Sequence, residues 1–178
     1  MDPGRDSWVR GIAALITAAA LSFAAVAAEP AKPYRIGVLN EAWSANHPTF
    51  EGLRTGLREL GFQEGRDVTF DIRFTKGNPG AMPAEAEALV KAGVDLLFTS
   101  KESATLAAKA ATQKLPIVFT LVGDPVTAGV VTQLVRPGGN VTGISSLTPQ
   151  LMPKRLEVLR TLFPAVKRVW YIHDATDS

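Results

Sequence analysis

The feature that most constrains the fold of this chain is a regular alternation between short apolar runs and segments of helical periodicity. The apolar runs have the length of strands, and the segments between them carry apolar residues three and four positions apart, as one face of a helix requires. The predicted strands are residues 34–40, 68–74, 94–99, 116–121 and 141–145. The predicted helices are residues 48–60, 81–92, 102–113 and a short one that begins at Asp124.

Strands that alternate with helices in this way favour an α/β fold, in which a doubly wound parallel sheet is covered by helices on both faces. Within residues 68–74, the apolar side chains of Val68, Phe70, Ile72 and Phe74 alternate with polar ones. That pattern is typical of a strand with one solvated face. We therefore expect residues 68–74 at an edge of the sheet.

The stretch from Gly123 to Gly143 predicts the edge of a ligand cleft. Asp124 and Pro125 are typical of a helix start, because the carboxylate accepts free amide hydrogens of the first turn and proline suits the first helical position. Residues 136–140, Arg-Pro-Gly-Gly-Asn, are typical of a helix stop and a tight turn. In open parallel sheets, ligands bind outside the carboxyl ends of the strands, so a binding site is expected at the turn.

Residues 1–28 have the features of a cleavable export signal. Arg5 and Arg10 precede an uncharged segment, residues 11–28, that ends in small residues. The alternative is an uncleaved membrane anchor, since the segment is just long enough to span a bilayer, although its many alanines make it weakly hydrophobic. Residues 29–32 are interpreted as a linker. The chain has no cysteine for a lipid anchor or a disulfide, so we expect a free periplasmic protein.

Composition argues against several functional classes. The net charge of +2 is mild and the basic residues are scattered, which does not indicate a nucleic-acid partner. The two histidines are far apart in sequence, and the chain lacks the nucleophile elbow, the phosphate-binding glycine loops and the zinc-binding helix motif. We therefore predict that the protein is not an enzyme and that it uses no cofactor and no metal.

A further helix and strand are predicted after the fifth strand. Residues 150–162 carry a leucine stripe, and residues 169–172 are apolar and aromatic. These two elements either fold back onto the first sheet or open a second lobe.

Several short motifs support a family resemblance, and they occur in a set order along the chain. They are Gly-Asp-Pro at 123–125, Gly-Val-Val at 129–131, Arg-Pro-Gly-Gly-Asn-Val-Thr-Gly at 136–143, Lys-Arg-Leu-Glu-Val-Leu at 154–159 and Val-Lys-Arg-Val at 166–169. Behind a signal sequence, this set resembles the substrate-binding proteins of the TrpX-like family of ABC transporters. The likeness runs from about residue 33 to the C-terminus.

The resemblance implies a type I periplasmic binding protein whose first lobe has the flavodoxin-like strand order 2-1-3-4-5. Two such α/β lobes would close around a small organic solute, aromatic amino acids included, and deliver it to a membrane permease with its ATPase on the cytoplasmic side. Contact with the membrane would be made only through the permease. The resemblance places the first lobe at residues 33–145, and the hinge with the start of an incomplete second lobe at residues 146–178. Because the family normally continues much further, we expect a truncated or fragmentary chain.

The segment after the first strand contributes the first candidate ligand-binding residues, Asn40, Glu41, Trp43 and Ser44. Trp43 could stack on an apolar or aromatic ligand, and Ser44 could form a hydrogen bond to it. Glu41 could pair with a ligand ammonium group. Against these hypotheses, an indole also packs readily against protein, and a loop carboxylate is commonly only solvated.

The helix after the third strand opens with three more candidates, Ser100, Lys101 and Ser103. Free amides and serine hydroxyls at a helix start favour a carboxylate ligand. The alternative is a capping box, in which Thr99 and Glu102 satisfy those amides. Lys101 is charged where many members of the family carry small, uncharged residues, which suggests instead that it meets an acidic ligand directly.

The ends of the last two strands contribute the remaining candidates, Gly123, Asp124, Ser145 and Ser146. Gly123 permits close backbone approach and Asp124 could bind a ligand amine, but a role as a helix cap already explains the aspartate. Ser145 and Ser146 are interpreted as hinge or cleft residues.

The leading function from the sequence is the substrate-binding component of an ABC-type importer for an amino-acid-like solute. The alternative is a periplasmic sensory or regulatory domain that passes ligand occupancy to a membrane partner. A small exported hydrolase is a third hypothesis, which the missing catalytic motifs disfavour.

Overall fold

The computed structural model describes residues 32–44, 46–170 and 172 of the chain. The chain divides into two units, Met1–Lys32 and Pro33–Ser178, and all described residues except Lys32 lie in the second. The predicted signal, residues 1–28, and most of the predicted linker therefore lie outside the described residues. Within the described residues, no helix is both long enough and apolar enough to cross a bilayer.

The first strand, helix and second strand follow the sequence pattern closely. Strand β1 (Tyr34–Asn40) leads to helix α1 (Pro48–Glu59) and then to strand β2 (Val68–Phe74). His47 caps α1, because its Nδ1 accepts a hydrogen bond from the amide of Thr49, and a proline occupies the first helical turn. Phe50 of α1 is buried and meets the ring of Phe70 edge-on at 5.0 Å. This contact packs α1 against the sheet.

The next elements also alternate as predicted, with boundaries shifted by one or two residues. A 3-10 turn (Pro79–Ala81) precedes α2 (Met82–Lys91), and then come β3 (Leu96–Ser100), α3 (Glu102–Ala111), β4 (Ile117–Val122) and β5 (Val141–Ser145). The buried residues of α2 and α3 include several alanines, which let both helices sit close to the sheet.

The predicted helix from Asp124 is wrong. Asp124 does start a helical turn, since its backbone carbonyl accepts from the amide of Ala128 at 3.0 Å, but the chain then passes through turns and bends until β5. Gly129 follows with a φ of 70°, which an α-helix does not accommodate. The aspartate and proline are a sound start signal, but a glycine five residues later limits the element to one turn.

All five strands are parallel and pair in the order β2-β1-β3-β4-β5, which confirms the predicted α/β fold and its strand order. Strand β2 lies at one edge, as its alternating pattern indicated, and β5 lies at the other. The strand order reverses between β1 and β3, whose registers include Val38 opposite Phe98.

Two buried apolar clusters lie on the two faces of the sheet. Val38 and Phe98 belong to the cluster around Phe50 of α1, whereas their chain neighbours Leu39 and Leu97 belong to the cluster that holds α2 and α3. Successive strand residues point to opposite faces, so each central strand supplies both clusters. Both faces of the sheet are therefore covered, and the loops at its carboxyl edge project from it.

Helix α4 (Thr148–Leu162) follows β5 and confirms the predicted helix, which begins two residues earlier than expected. The predicted strand at 169–172 is wrong for the described residues, because 163–170 and 172 form no strand. Trp170 and Ile172 are 91% and 93% exposed. Apolar composition predicts a strand only where a partner strand is at hand, and these residues pair with none of the five.

Candidate functional site

A cavity of about 740 Å³ opens at the carboxyl edge of the sheet, between the ends of β1 and β3. This is the point where the strand order reverses, and in sheets of this order it is where ligands bind. The segments after β1 and β3 form most of its wall, together with the loop after β2. The lining residues are Asn40, Glu41, Ala42, Trp43, Ser44, Asn46, His47, Pro48, Gly77, Pro79, Ser100, Lys101, Glu102, Ser103, Leu106 and Leu121.

Trp43 presents an indole at the mouth of this cavity. It is 78% exposed, and Cζ2 of its ring would lie 3.4 Å from a Cβ atom built on Gly77. The indole therefore rests on the backbone of Gly77, while most of its surface is open. Two hydrogen bonds hold the supporting loop, since the amide of Gly77 donates to the carbonyl of Glu41 at 2.8 Å and the amide of Lys76 donates to that of Ala42 at 3.1 Å.

Glu41, Lys101 and Ser103 form a charged group on the cavity wall. The hydroxyl of Ser103 donates to Oε1 of Glu41, and Nζ of Lys101 lies 3.6 Å from Oε2. The side chain of Glu41 is 19% exposed and that of Lys101 is 42% exposed. A carboxylate below the rim is thus held by one hydroxyl and one ammonium group, each on a different oxygen.

The backbone of Lys101 is strained. Its φ of 72° and ψ of 169° lie in a region that is almost reserved for glycine. Neighbouring groups hold it there, because its amide donates to the carbonyl of Thr120 at 3.0 Å and its carbonyl accepts from the hydroxyl of Thr105 at 2.7 Å. Leu121, also on the cavity wall, has a φ of 58° where the register between β4 and β5 shifts.

The alternative of a capping box that begins at Thr99 is wrong. Lys101 is the N-cap residue, and its side chain makes no capping bond. The hydroxyl of Thr99 instead shares a buried hydrogen bond of 2.9 Å with that of Thr105. Thr99 therefore stabilises the junction of β3 with α3 from below the cavity.

Asn40 and Ser100 are the buried last residues of β1 and β3, and Ser44 is exposed on the cavity wall. The side-chain oxygen of Asn40 accepts from the amide of Ala42 at 2.8 Å. This bond turns the chain out of the strand and towards Trp43.

The remaining candidates, Gly123, Asp124, Ser145 and Ser146, lie outside the large cavity. Asp124 accepts hydrogen bonds from Val126, Thr127 and the side-chain amide of Gln150. The amide and hydroxyl of Thr127 lower the pKa of Asp124 below its ordinary value. The carboxylate therefore stabilises its own turn and joins it to α4.

Ser145 and Ser146 make hydrogen bonds to neighbouring segments. The hydroxyl of Ser145 donates to the carbonyls of Val122 and Gly123 at 3.0 and 3.1 Å, and that of Ser146 lies 2.9 Å from the hydroxyl of Thr148. Ser145 also lines a smaller cavity of about 220 Å³ beside Phe119.

Sequence reasoning missed several wall residues, among them Gly77, His47, Leu106 and Leu121. Gly77 follows β2, so the rule that pointed to the ends of the other strands would also have found it. Leu121 had no such signal, because its outward position depends on an irregularity in β4. Among the described residues, no group of three or more histidine, aspartate and glutamate side chains could hold a metal ion.

The fold and the position of the cavity define a lobe of a small-molecule-binding α/β protein. The profile of the family described as ABC transporter substrate binding protein matches residues 43–177. The chain belongs to this family, which is one of solute-binding proteins and not of enzymes.

Relatives of known sequence and structure agree with this. A tyrosine-binding protein of Clostridioides difficile (strain R20291) is 30% identical over 135 residues, which cover 74% of this chain and 39% of the relative. A solved conserved domain protein of Vibrio cholerae is 36% identical with a TM-score of 0.69, and the match covers 76% of this chain and 46% of that one. An ABC domain in complex with L-Trp from Streptococcus pneumonia is 31% identical with a TM-score of 0.58, over 64% and 39% of the two chains. The chain thus spans less than half the length of each.

Proposed function

We propose that this chain is the substrate-binding component of an ABC-type importer and that it binds an amino-acid-like, aromatic solute in the 740 Å³ cavity. In this proposal, residues 1–28 direct export to the periplasm and are cleaved. The protein then delivers its solute to a membrane permease that works with a cytoplasmic ATPase. Residues 33–145 act as the first lobe, and residues 146–178 as the hinge and the start of the second.

The observation that carries the proposal is the exposed indole of Trp43 at the switch point of the sheet. An aromatic ring that is 78% exposed and supported from below by Gly77 offers an open face for stacking. The relatives add support, since one is named a tyrosine-binding protein and another was solved in complex with L-Trp.

Isothermal titration of the 178-residue chain with L-tryptophan, L-tyrosine and L-alanine tests this proposal. We expect the two aromatic amino acids to bind more tightly than L-alanine. The substitution Trp43→Ala should weaken aromatic binding by at least about 2- to 13-fold, because a stacked aromatic pair contributes about 0.5–1.5 kcal/mol beyond the area that it buries. The change should leave L-alanine almost unaffected.

Trp170→Ala is the matched control, because that indole is 91% exposed and does not line the cavity. It should leave the affinity for all three amino acids unchanged. Equal losses in the two tryptophan variants, or no preference for aromatic amino acids in the wild type, would refute the assignment of Trp43 as the stacking surface.

A further inference from the structure

We propose that Lys101 and Ser103 form a carboxylate-binding pair, and that the side chain of Glu41 occupies this pair in the free protein as an internal competitor of the ligand's carboxylate. The inference rests on the proposed function, because it names the group that an amino-acid-like solute must displace. It makes Lys101 a specificity-determining residue of this chain.

The geometry of Glu41 is that of a bound carboxylate. One of its oxygens accepts from the hydroxyl of Ser103, and the other lies 3.6 Å from Nζ of Lys101. Glu41 follows β1 and its two partners follow β3, so the three side chains meet only because these strands are neighbours. A ligand carboxylate in the same place would find the same hydroxyl and the same ammonium group.

Lys101 supplies the cation that such a ligand needs. The ionisable side chains that line the cavity are Glu41, His47, Lys101 and Glu102. Lys101 is the one lysine or arginine among the described residues of the wall, so it is the cationic side chain that a ligand carboxylate would meet.

The ion pair between Glu41 and Lys101 is a weak contact. The distance of 3.6 Å to Nζ is well beyond the 2.7–2.9 Å of a strong charge-assisted hydrogen bond. The ammonium group is also partly in water, where an ion pair contributes little. By contrast, the backbone of Lys101 is held by Thr105 and Thr120. A ligand carboxylate that replaces Glu41 therefore has only a weak ion pair to displace at Nζ, and it takes over the hydrogen bond from Ser103.

Three probes in titrations of the full 178-residue chain separate the ligand's charges. L-Tryptophan carries both charges, indole-3-propionate only the carboxylate, and tryptamine only the ammonium group. We expect Glu41→Gln to tighten binding of indole-3-propionate by about tenfold, since it removes a competing charge-assisted contact. We expect Lys101→Met to weaken binding of indole-3-propionate and of L-tryptophan by about tenfold, because it removes a charge-assisted contact to the ligand carboxylate. Binding of tryptamine should not weaken.

Lys91→Met is the matched control, because Lys91 pairs with Glu87 at 3.9 Å on α2, outside the cavity. It should change none of the three affinities. Circular dichroism of each variant checks folding, and Ser103→Ala provides a second route to the same loss of carboxylate binding.

The outcomes separate this inference from the proposed function. If the wild type binds L-tryptophan but Glu41→Gln and Lys101→Met each change the affinities for all three probes by the same factor, the inference is wrong and the proposed function stands. If the wild type binds none of the probes but Glu41→Gln binds indole-3-propionate, the inference stands and the aromatic amino-acid function fails. If neither the wild type nor Glu41→Gln binds indole-3-propionate, the carboxylate-binding pair is refuted.

Discussion

Replacing Lys101 by glycine and by alanine separates the strain in its backbone from the loss of its side chain. Both variants lose the ion pair with Glu41, so that loss cancels when the two are compared. The residue has a φ of 72° and a ψ of 169°, a conformation that alanine adopts no more easily than lysine does. The difference between the two variants therefore contains the strain and the extra backbone entropy that glycine loses on folding.

The expected difference follows from two opposing effects. Strain of this kind costs about 1–3 kcal/mol, and glycine is free of it. Glycine loses more backbone entropy on folding, which costs about 0.5–1 kcal/mol relative to alanine. We therefore expect the free energy of unfolding of Lys101→Gly to exceed that of Lys101→Ala by up to about 2.5 kcal/mol.

Urea denaturation followed by circular dichroism measures both free energies of unfolding. Glu87 in α2 is the control position, because its side chain is 63% exposed and it too loses an ion pair when replaced. There the order should reverse, with alanine about 1 kcal/mol more stable than glycine, as in any ordinary helix. If Lys101→Ala is instead about 1 kcal/mol more stable than Lys101→Gly, as at Glu87, the backbone of Lys101 is not strained and the reasoning is refuted.

Two further predictions concern the sheet and the turn at Asp124. Gly143→Ala should lower the free energy of unfolding by about 1–3 kcal/mol or more, because the new Cβ would lie 2.2 Å from the backbone oxygen of Phe119. In the same denaturation assay, Gly52→Ala in α1 should raise the free energy of unfolding by about 0.5–1 kcal/mol, because nothing lies within 4 Å of the new Cβ. Equal effects of the two substitutions would contradict the close approach of Gly143 in β5 to Phe119 in β4. The lowered pKa of Asp124 means that its stabilising contribution is complete above its ordinary value of 3.8 and is lost as the pH falls through the lower value of the folded state. Asp124→Asn should therefore flatten the loss of stability on acidification below about pH 4, and an unchanged pH profile would show that the hydrogen bonds from Thr127 are not made.

Local sequence pattern predicted an element correctly where the signals for that element lie within a few residues of it. Strands β1, β2 and β5 lie at the predicted residues, because each is a short apolar segment of strand length, and β2 also alternates with the period of a strand. The edge position of β2 followed from its one polar face. Helix α1 starts at the predicted residue, and the signals that fix this start, a capping residue and Pro48, act within one turn of helix.

Local pattern failed where an element's length or partner depended on distant groups. The dipeptide at Asp124 was a correct start signal, but it carried no information on where the turn would end, and Gly129 ends it. The apolar residues around Trp170 had the composition of a strand but no partner strand among those described.

Local pattern likewise identified some residues of the cavity wall but also pointed to residues outside it. The rule that ligands bind at the ends of parallel strands led to Trp43, Ser100 and Lys101, which all line the cavity. The same rule led to Asp124, whose carboxylate instead serves the adjacent turn and Gln150. A strand end marks where a side chain can reach the cleft, but it does not show whether neighbouring donors already hold that side chain.

The sequence by itself determined the alternation of strands and helices, because side-chain periodicity acts over a few residues. It also determined which loops leave the carboxyl edge of the sheet. Only the tertiary structure decided that Glu41 meets Lys101 and Ser103, which lie some sixty residues further along the chain. It also decided the unusual backbone of Lys101 and Leu121, since a positive φ in a residue other than glycine persists only where surrounding contacts compensate its cost.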